Sequence, residues 1–133
     1  MQMGEFKQEI IKVNNRVNME VFNQGLRSQK VEIFQDKILI IANNNRVKVL
    51  SMVDKKDTTT TKLMDIALII EFKDRFIRAM EEHLGVKVLS HLKDYDPHLE
   101  ISISVTILDR PVEEILPALK VKEDRQSVDF PLK

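Results

Sequence analysis

Residues 100–108 read Glu-Ile-Ser-Ile-Ser-Val-Thr-Ile-Leu. Branched aliphatics at Ile101, Ile103, Val105 and Ile107 alternate with hydroxyls at Ser102, Ser104 and Thr106. A period of two is that of a strand, whose successive side chains point to opposite faces. The one-sided polarity predicts an antiparallel sheet with one face on a core, aliphatic side chains inward and hydroxyls outward. Upstream, Val86 to Leu92 predicts the hairpin partner, with Val86, Val88, Ser90 and Leu92 on one side. Asp94-Tyr95-Asp96-Pro97 is composed of turn residues and predicts the connection. Pro111 ends the second strand, and Val112 to Leu119 reads as a short amphipathic helix.

The first half of the chain repeats this grammar. Phe6, Ile10, Val13, Val17 and Val21 fall on one face of a helix over about residues 3–23, and Gly25 follows it. Lys30–Phe34 and Lys37–Ala42 are β-branched runs joined by Gln35-Asp36, a hairpin pattern. Asn43-Asn44-Asn45 marks a further turn, and Val47 to Val53 reads as a short extra strand. A second helix is expected over about residues 61–84, capped by Asp57 or a threonine and closed by Gly85. Its expected apolar stripe is Ile66, Ile69, Ile70, Phe76, Ile77, Met80 and Leu84, interrupted by Lys73. Each half is thus a helix, a glycine and two strands. The predicted fold is α+β: two helix-hairpin halves forming a four-stranded, or with Val47–Val53 five-stranded, antiparallel sheet with two long helices on one face. Residues 1–110 form the expected single domain, with 111–133 as a short helix or extended C-terminal tail.

The chain has 133 residues, with Lys plus Arg and Asp plus Glu at 21 each. A zero net charge argues against a generally basic nucleic-acid binder. One tyrosine and no tryptophan argue against a stacking platform for single strands. The absence of cysteine removes disulfides, thiolate metal sites and thiol nucleophiles. The longest aliphatic runs, Ile38–Ala42 and Ile66–Ile70, are far short of the roughly 20 residues that cross a bilayer. A soluble cytoplasmic protein with no membrane span is expected.

Ligand-type residues concentrate only at His91, Asp94, Asp96 and His98, whose imidazoles and carboxylates suit divalent ions. Their spacing matches no metal motif, and a hairpin turn accounts for the same residues, so no metal is expected. His83, in the last turn of the long helix, suits the helix dipole. The three glycines, Gly4, Gly25 and Gly85, are too far apart for a phosphate loop, so no nucleotide cofactor is expected. No nucleophile–base pair stands out, and the chain is read as non-enzymatic. Lys73, inside an apolar stripe, either snorkels or marks a docking surface for a partner.

The stretch from Gly25 to Asp109 resembles the MpsC family of small bacterial proteins. The residues that carry the likeness are Lys30-Val31-Glu32-Ile33-Phe34-Gln35-Asp36-Lys37-Ile38-Leu39-Ile40, the helix end Glu81-Glu82-His83-Leu84-Gly85-Val86-Lys87-Val88, Asp94-Tyr95-Asp96-Pro97, and the strand from Ile103 to Asp109. The resemblance implies an accessory component of a sodium-translocating, membrane-potential-generating system linked to bicarbonate uptake. Its implied partners are a membrane transport subunit and a large soluble companion. Docking is expected through a sheet edge or through the long helix around Lys73, and an open edge also suits a homodimer. The alternative is a stand-alone homo-oligomeric sensor of a small molecule or ion, with the ligand between sheet and helices or at the Asp94–His98 turn.

Overall fold

The structure, a computed structural model, describes residues 1–119. Its elements in order are α1 (Met3–Phe22), β1 (Ser28–Phe34), β2 (Lys37–Asn43), α2 (Lys48–Asp54), α3 (Thr58–Leu84), β3 (Val88–Asp96), β4 (Ile101–Leu108), α4 (Val112–Ile115) and a 3-10 turn over Leu116–Ala118. The fold is α+β. One four-stranded antiparallel sheet has the order β1-β2-β4-β3, and α1 and α3 pack together on one of its faces.

Local chemistry sets the helix ends. Glu5 reaches back to accept a hydrogen bond from the Gln2 backbone N–H. Asn23 ends α1 in the left-handed region at φ 57°, and Gly85 ends α3 in the same way at φ 73°. Asp57 caps α3 by accepting from the Thr60 hydroxyl and from the Thr60 and Thr59 N–H groups, and these bonds, the hydroxyl's first, lower its carboxyl below the usual range. The two halves are laid out alike: β2 and β4 sit side by side at the centre, in a register centred on Ile40 opposite Ser104. The hairpin turn between β1 and β2 contains no glycine, and Gln35 itself takes φ 57°. The backbone of Gln35 and Asp36 then accepts from the Val112 and Leu108 N–H groups, which ties this turn to the end of β4 and the start of α4.

Phe6, Ile10, Val13 and Val17 from α1 meet Phe72, Phe76, Met80 and Leu84 from α3 over Val31, Ile38 and Ile40 of the sheet. Val112 and Ile115 complete this core. Residues 120–133 of the expected tail lie outside the described residues.

Three expectations about β2, α3 and β4 and the segments beside them are overturned here. Val47–Val53 adds no fifth strand; Lys48–Asp54 is helix α2. Arg46, just before it, forms a two-point ion pair with Asp54 at its end, which closes the segment into a turn of helix against its β-branched composition. The apolar stripe of α3 is buried as expected at Phe76, Met80 and Leu84, but not in its first half. Phe72 is fully buried, whereas Ile66 and Ile70 are 55% and 62% exposed. Lys73 therefore borders an exposed apolar stripe and does not interrupt a buried one.

The third correction concerns the facing of β4. Ser102, Ser104 and Thr106 point into the interior, and Ile103 on the other face is 48% exposed. Ile101, Val105 and Ile107 share that outer face. The pairing with β2 dictates this, because Ser102, Ser104 and Thr106 lie beside the buried Ala42, Ile40 and Ile38. A charge introduced at Ser104, which is 4% exposed, meets the helix layer. Ser104→Asp is expected to lower the melting temperature by about 10 °C or more, as a burial cost of several kcal/mol implies. Ile103→Asp, measured in dilute solution by circular dichroism, is expected to keep a cooperative melt within a few degrees of the parent.

Candidate functional site

The inward hydroxyls of β4 begin a polar seam between sheet and helices. Asn44, at the end of β2, is its hub. Its side-chain amide donates to Asn18 Oδ1 at 3.0 Å, and its Oδ1 accepts from Ser102 Oγ at 2.9 Å. The Tyr95 hydroxyl donates to the Asn44 carbonyl at 2.9 Å. Asn18 in turn donates to the Asn14 carbonyl, and Asn14 Nδ2 to Gln29 Oε1. Asn14 and Asn18 are four apart on α1, so both face the sheet. Buried amides hold their place only when so paired.

At the open end of this seam lies a small cleft lined by Phe22, Asn44, Arg46, Leu50, Asp65 and Tyr95. The Arg46 guanidinium is held by Asp54 at 2.9 Å on two nitrogens and by Asp65 at 2.7 Å. Burial opposes its charge, but the two carboxylates outweigh that and raise its pKa. Its backbone N–H donates to Glu100 Oε2 at 2.6 Å, and its guanidinium lies 5.9 Å from the Tyr95 ring centre. Burial pushes the Tyr95 hydroxyl up to about 12. Arg46 already has its carboxylates, so this cleft clamps α2 and α3 to the hairpin end of the sheet rather than offering a free cation.

The remaining chemistry lies along β3. An irregularity between Val88 and Ser90 shifts the strand, so Val88, His91, Lys93 and Tyr95 point inward. Ser90, Leu92 and Asp94 point outward. The expected alignment of Val88 with Ser90 and Leu92 on one side is thereby overturned, and His91 shares the inner side with Val88; it is 2% exposed and stacked on Phe76 with ring centres 4.4 Å apart. Its Nδ1 is hydrogen-bonded to Thr106 Oγ1 at 2.8 Å, and its Nε2 has no partner. Burial first, then the Lys93 and Lys73 charges, lower its pKa to about 3. Lys93 extends its ammonium over the Phe72 ring, 4.0 Å from the centre, and burial lowers it to about 8.

The four ligand-type residues do not converge. His91 faces the core, while Asp94 and Asp96 lie on the opposite side of the same strand. Asp94 to Asp96 are also not the turn: β3 runs through them, because Tyr95 pairs with Ser102 and Asp96 with Ile101. The turn follows at residues 97–100, where Asp96 accepts from the His98 and Leu99 N–H groups and Glu100 takes φ 56°. Among the described residues, no three His, Asp or Glu side chains are grouped to hold a metal ion. His83 is not left to the helix dipole alone: its Nε2 lies 2.8 Å from Glu9 Oε1 and ties α3 to α1. Burial works to raise the Glu9 carboxyl, yet hydrogen bonds with His83 and Lys12 outweigh it and hold it below its ordinary value.

Among the described residues, two apolar surfaces are uncovered. One is the outer sheet face, with Phe34, Ile41, Leu92 and Ile103 exposed. The other follows α2 and the first half of α3, where Val49, Met52, Leu63, Ile66 and Ile70 are exposed. Such patches mark interaction sites on folded chains. No helix of the described residues is long and apolar enough to cross a membrane. No protein-family model, no curated protein and no solved structure matches the chain.

The unfolded chain protonates histidine near pH 6.5 while folded His91 stays neutral down to about pH 3. The unfolded state thus binds more protons in that window, and His91's contribution to stability is lost as pH falls from 6.5 towards 3. Urea unfolding at pH 6.5 and 5.0 is expected to show a loss of about 2 kcal/mol in the parent that is absent in His91→Gln. Asn44→Ala strands Ser102 and Asn18 without their partner and is expected to cost about 3 kcal/mol in the same assay.

Proposed function

We propose that this chain is a non-enzymatic accessory or regulatory component of a sodium-translocating, membrane-potential-generating system linked to bicarbonate transport. The observation that carries this reading is the α2–α3 surface. Leu63, Ile66 and Ile70 recur at helical spacing along a stripe that nothing among the described residues covers, with Lys73 as its next member. An amphipathic stripe exposed on a long helix suits a groove on a partner. The partners in this reading are the membrane transport subunit and its large soluble companion, which the likeness of residues 25–109 to the MpsC family implies. The chain would then work at the cytoplasmic face of the membrane without entering it. His91 turns inward and Asp94 outward, so these two side chains do not share a site.

Affinity capture of the tagged chain from gently solubilised native membranes, read by mass spectrometry, tests the proposal. It is expected to recover an antiporter-like membrane subunit together with a large soluble companion. The Ile66→Asp/Ile70→Asp variant, with unchanged circular dichroism, is expected to lose both. Recovery of the chain alone, or equal recovery by the variant, contradicts the proposal. In the former case, the cleft beside Tyr95 becomes the place to look for a small ligand, by thermal shift.

A further inference from the structure

The strand register arranges the outer face of the sheet in rows that cross all four strands. One row is Lys30, Ile41, Ile103 and Asp94. The next is Glu32, Leu39, Val105 and Leu92. Both have aliphatic centres on β2 and β4. The first also ends in a cation on the β1 edge, 3.5 Å from Glu32 of the next row but still largely open to solvent, and in an exposed anion on the β3 edge. The row is therefore complementary to its own reverse.

We propose that a second copy of this chain covers the outer sheet face, related to the first by a two-fold axis running parallel to the strands. Such an axis lays β2 of each copy over β4 of the other and β1 over β3, and it keeps each row over the same row. Ile41 of one copy then meets Ile103 of the other, and Lys30 of one copy meets Asp94 of the other, twice over by symmetry. An axis across the strands through the second row gives a worse match. It sets Glu32 against Glu32 and places Lys30 opposite Phe34 and Asp94 opposite Ser90. The parallel axis yields an aligned sandwich, the common way for two antiparallel sheets to bury their faces. Apolar burial at the centre drives association, and the two charged corners fix its orientation. The proposal rests on the sheet face and not on the α2–α3 stripe, so it stands or falls apart from the docking reading above.

Sedimentation velocity across a range of concentrations, together with charge exchange, tests it. The parent is expected to form a reversible species of twice the 15.5 kDa chain mass. Ile103→Asp, folded by circular dichroism, is expected to stay monomeric. Lys30→Asp and Asp94→Lys are each expected to weaken the dimer by about tenfold or more, and the double variant to recover it to within about threefold of the parent. A parent that remains monomeric throughout, or a dimer that Ile103→Asp leaves intact, overturns the proposal. A dimer lost in Ile103→Asp but not recovered by the double exchange overturns the strand-parallel axis. A heterologous partner found on this face of a monomeric parent assigns the surface to that partner instead.

Discussion

The pairing of β2 with β4 sets the rest of the molecule. With Ile40 fixed opposite Ser104, the inner face of the sheet is aliphatic in its first half and hydroxylic in its second. A slip of one residue would turn every side chain of β4 over and replace the hydroxyls by Ile101, Ile103, Val105 and Ile107. The helix layer that covers the sheet is built for the observed register. Asn44 links Asn18 to Ser102, and His91, stacked on Phe72 and Phe76, meets Thr106. Buried polar groups of this kind define one arrangement because each would be costly without its partner.

The same constraint produces the exposed surface. Aliphatic residues excluded from the interior by the register are left on the far side of the sheet, where the described chain offers nothing to cover them. The apolar stripe of α2 and α3 has a different origin. The first half of α3 extends beyond the helix core, whose deepest members begin at Phe72, and is held by Arg46 through Asp54 and Asp65. The two surfaces are thus built from separate elements and suit separate partners.

Much of this architecture was legible in the chain. The helices over Met3–Phe22 and Thr58–Leu84 announce themselves by spacing, and the Asp57 cap and Gly85 stop mark the ends of the second. Alternation in residues 100–108 identifies a strand, and the helix-hairpin echo gives the sheet its four strands. What alternation does not carry is the direction of each face. Aliphatic-in is the ordinary outcome, and here hydroxyls win with partners from distant positions: Asn44, just past β2 and itself held by Asn18 of α1, takes the Ser102 hydroxyl, and His91 of β3 bonds that of Thr106. Asn14 and Asn18, next to the core valines Val13 and Val17, were the available signal. His91 was misplaced for a similar reason: the shift between Val88 and Ser90 leaves no mark in residue type. Helix α2 was hidden because its β-branched composition favours a strand, and only the ion pair across it reveals the turn.

The inverted facing of β4 is the central claim, and the absence of cysteine allows a direct measurement of it. Single Ile103→Cys and Ser104→Cys variants are to be labelled with a thiol reagent in the native state, at concentrations low enough to keep the chain monomeric. The account predicts rapid labelling of the first and labelling of the second only on denaturation. Rapid native labelling of Ser104→Cys with protection of Ile103→Cys at every concentration would contradict it.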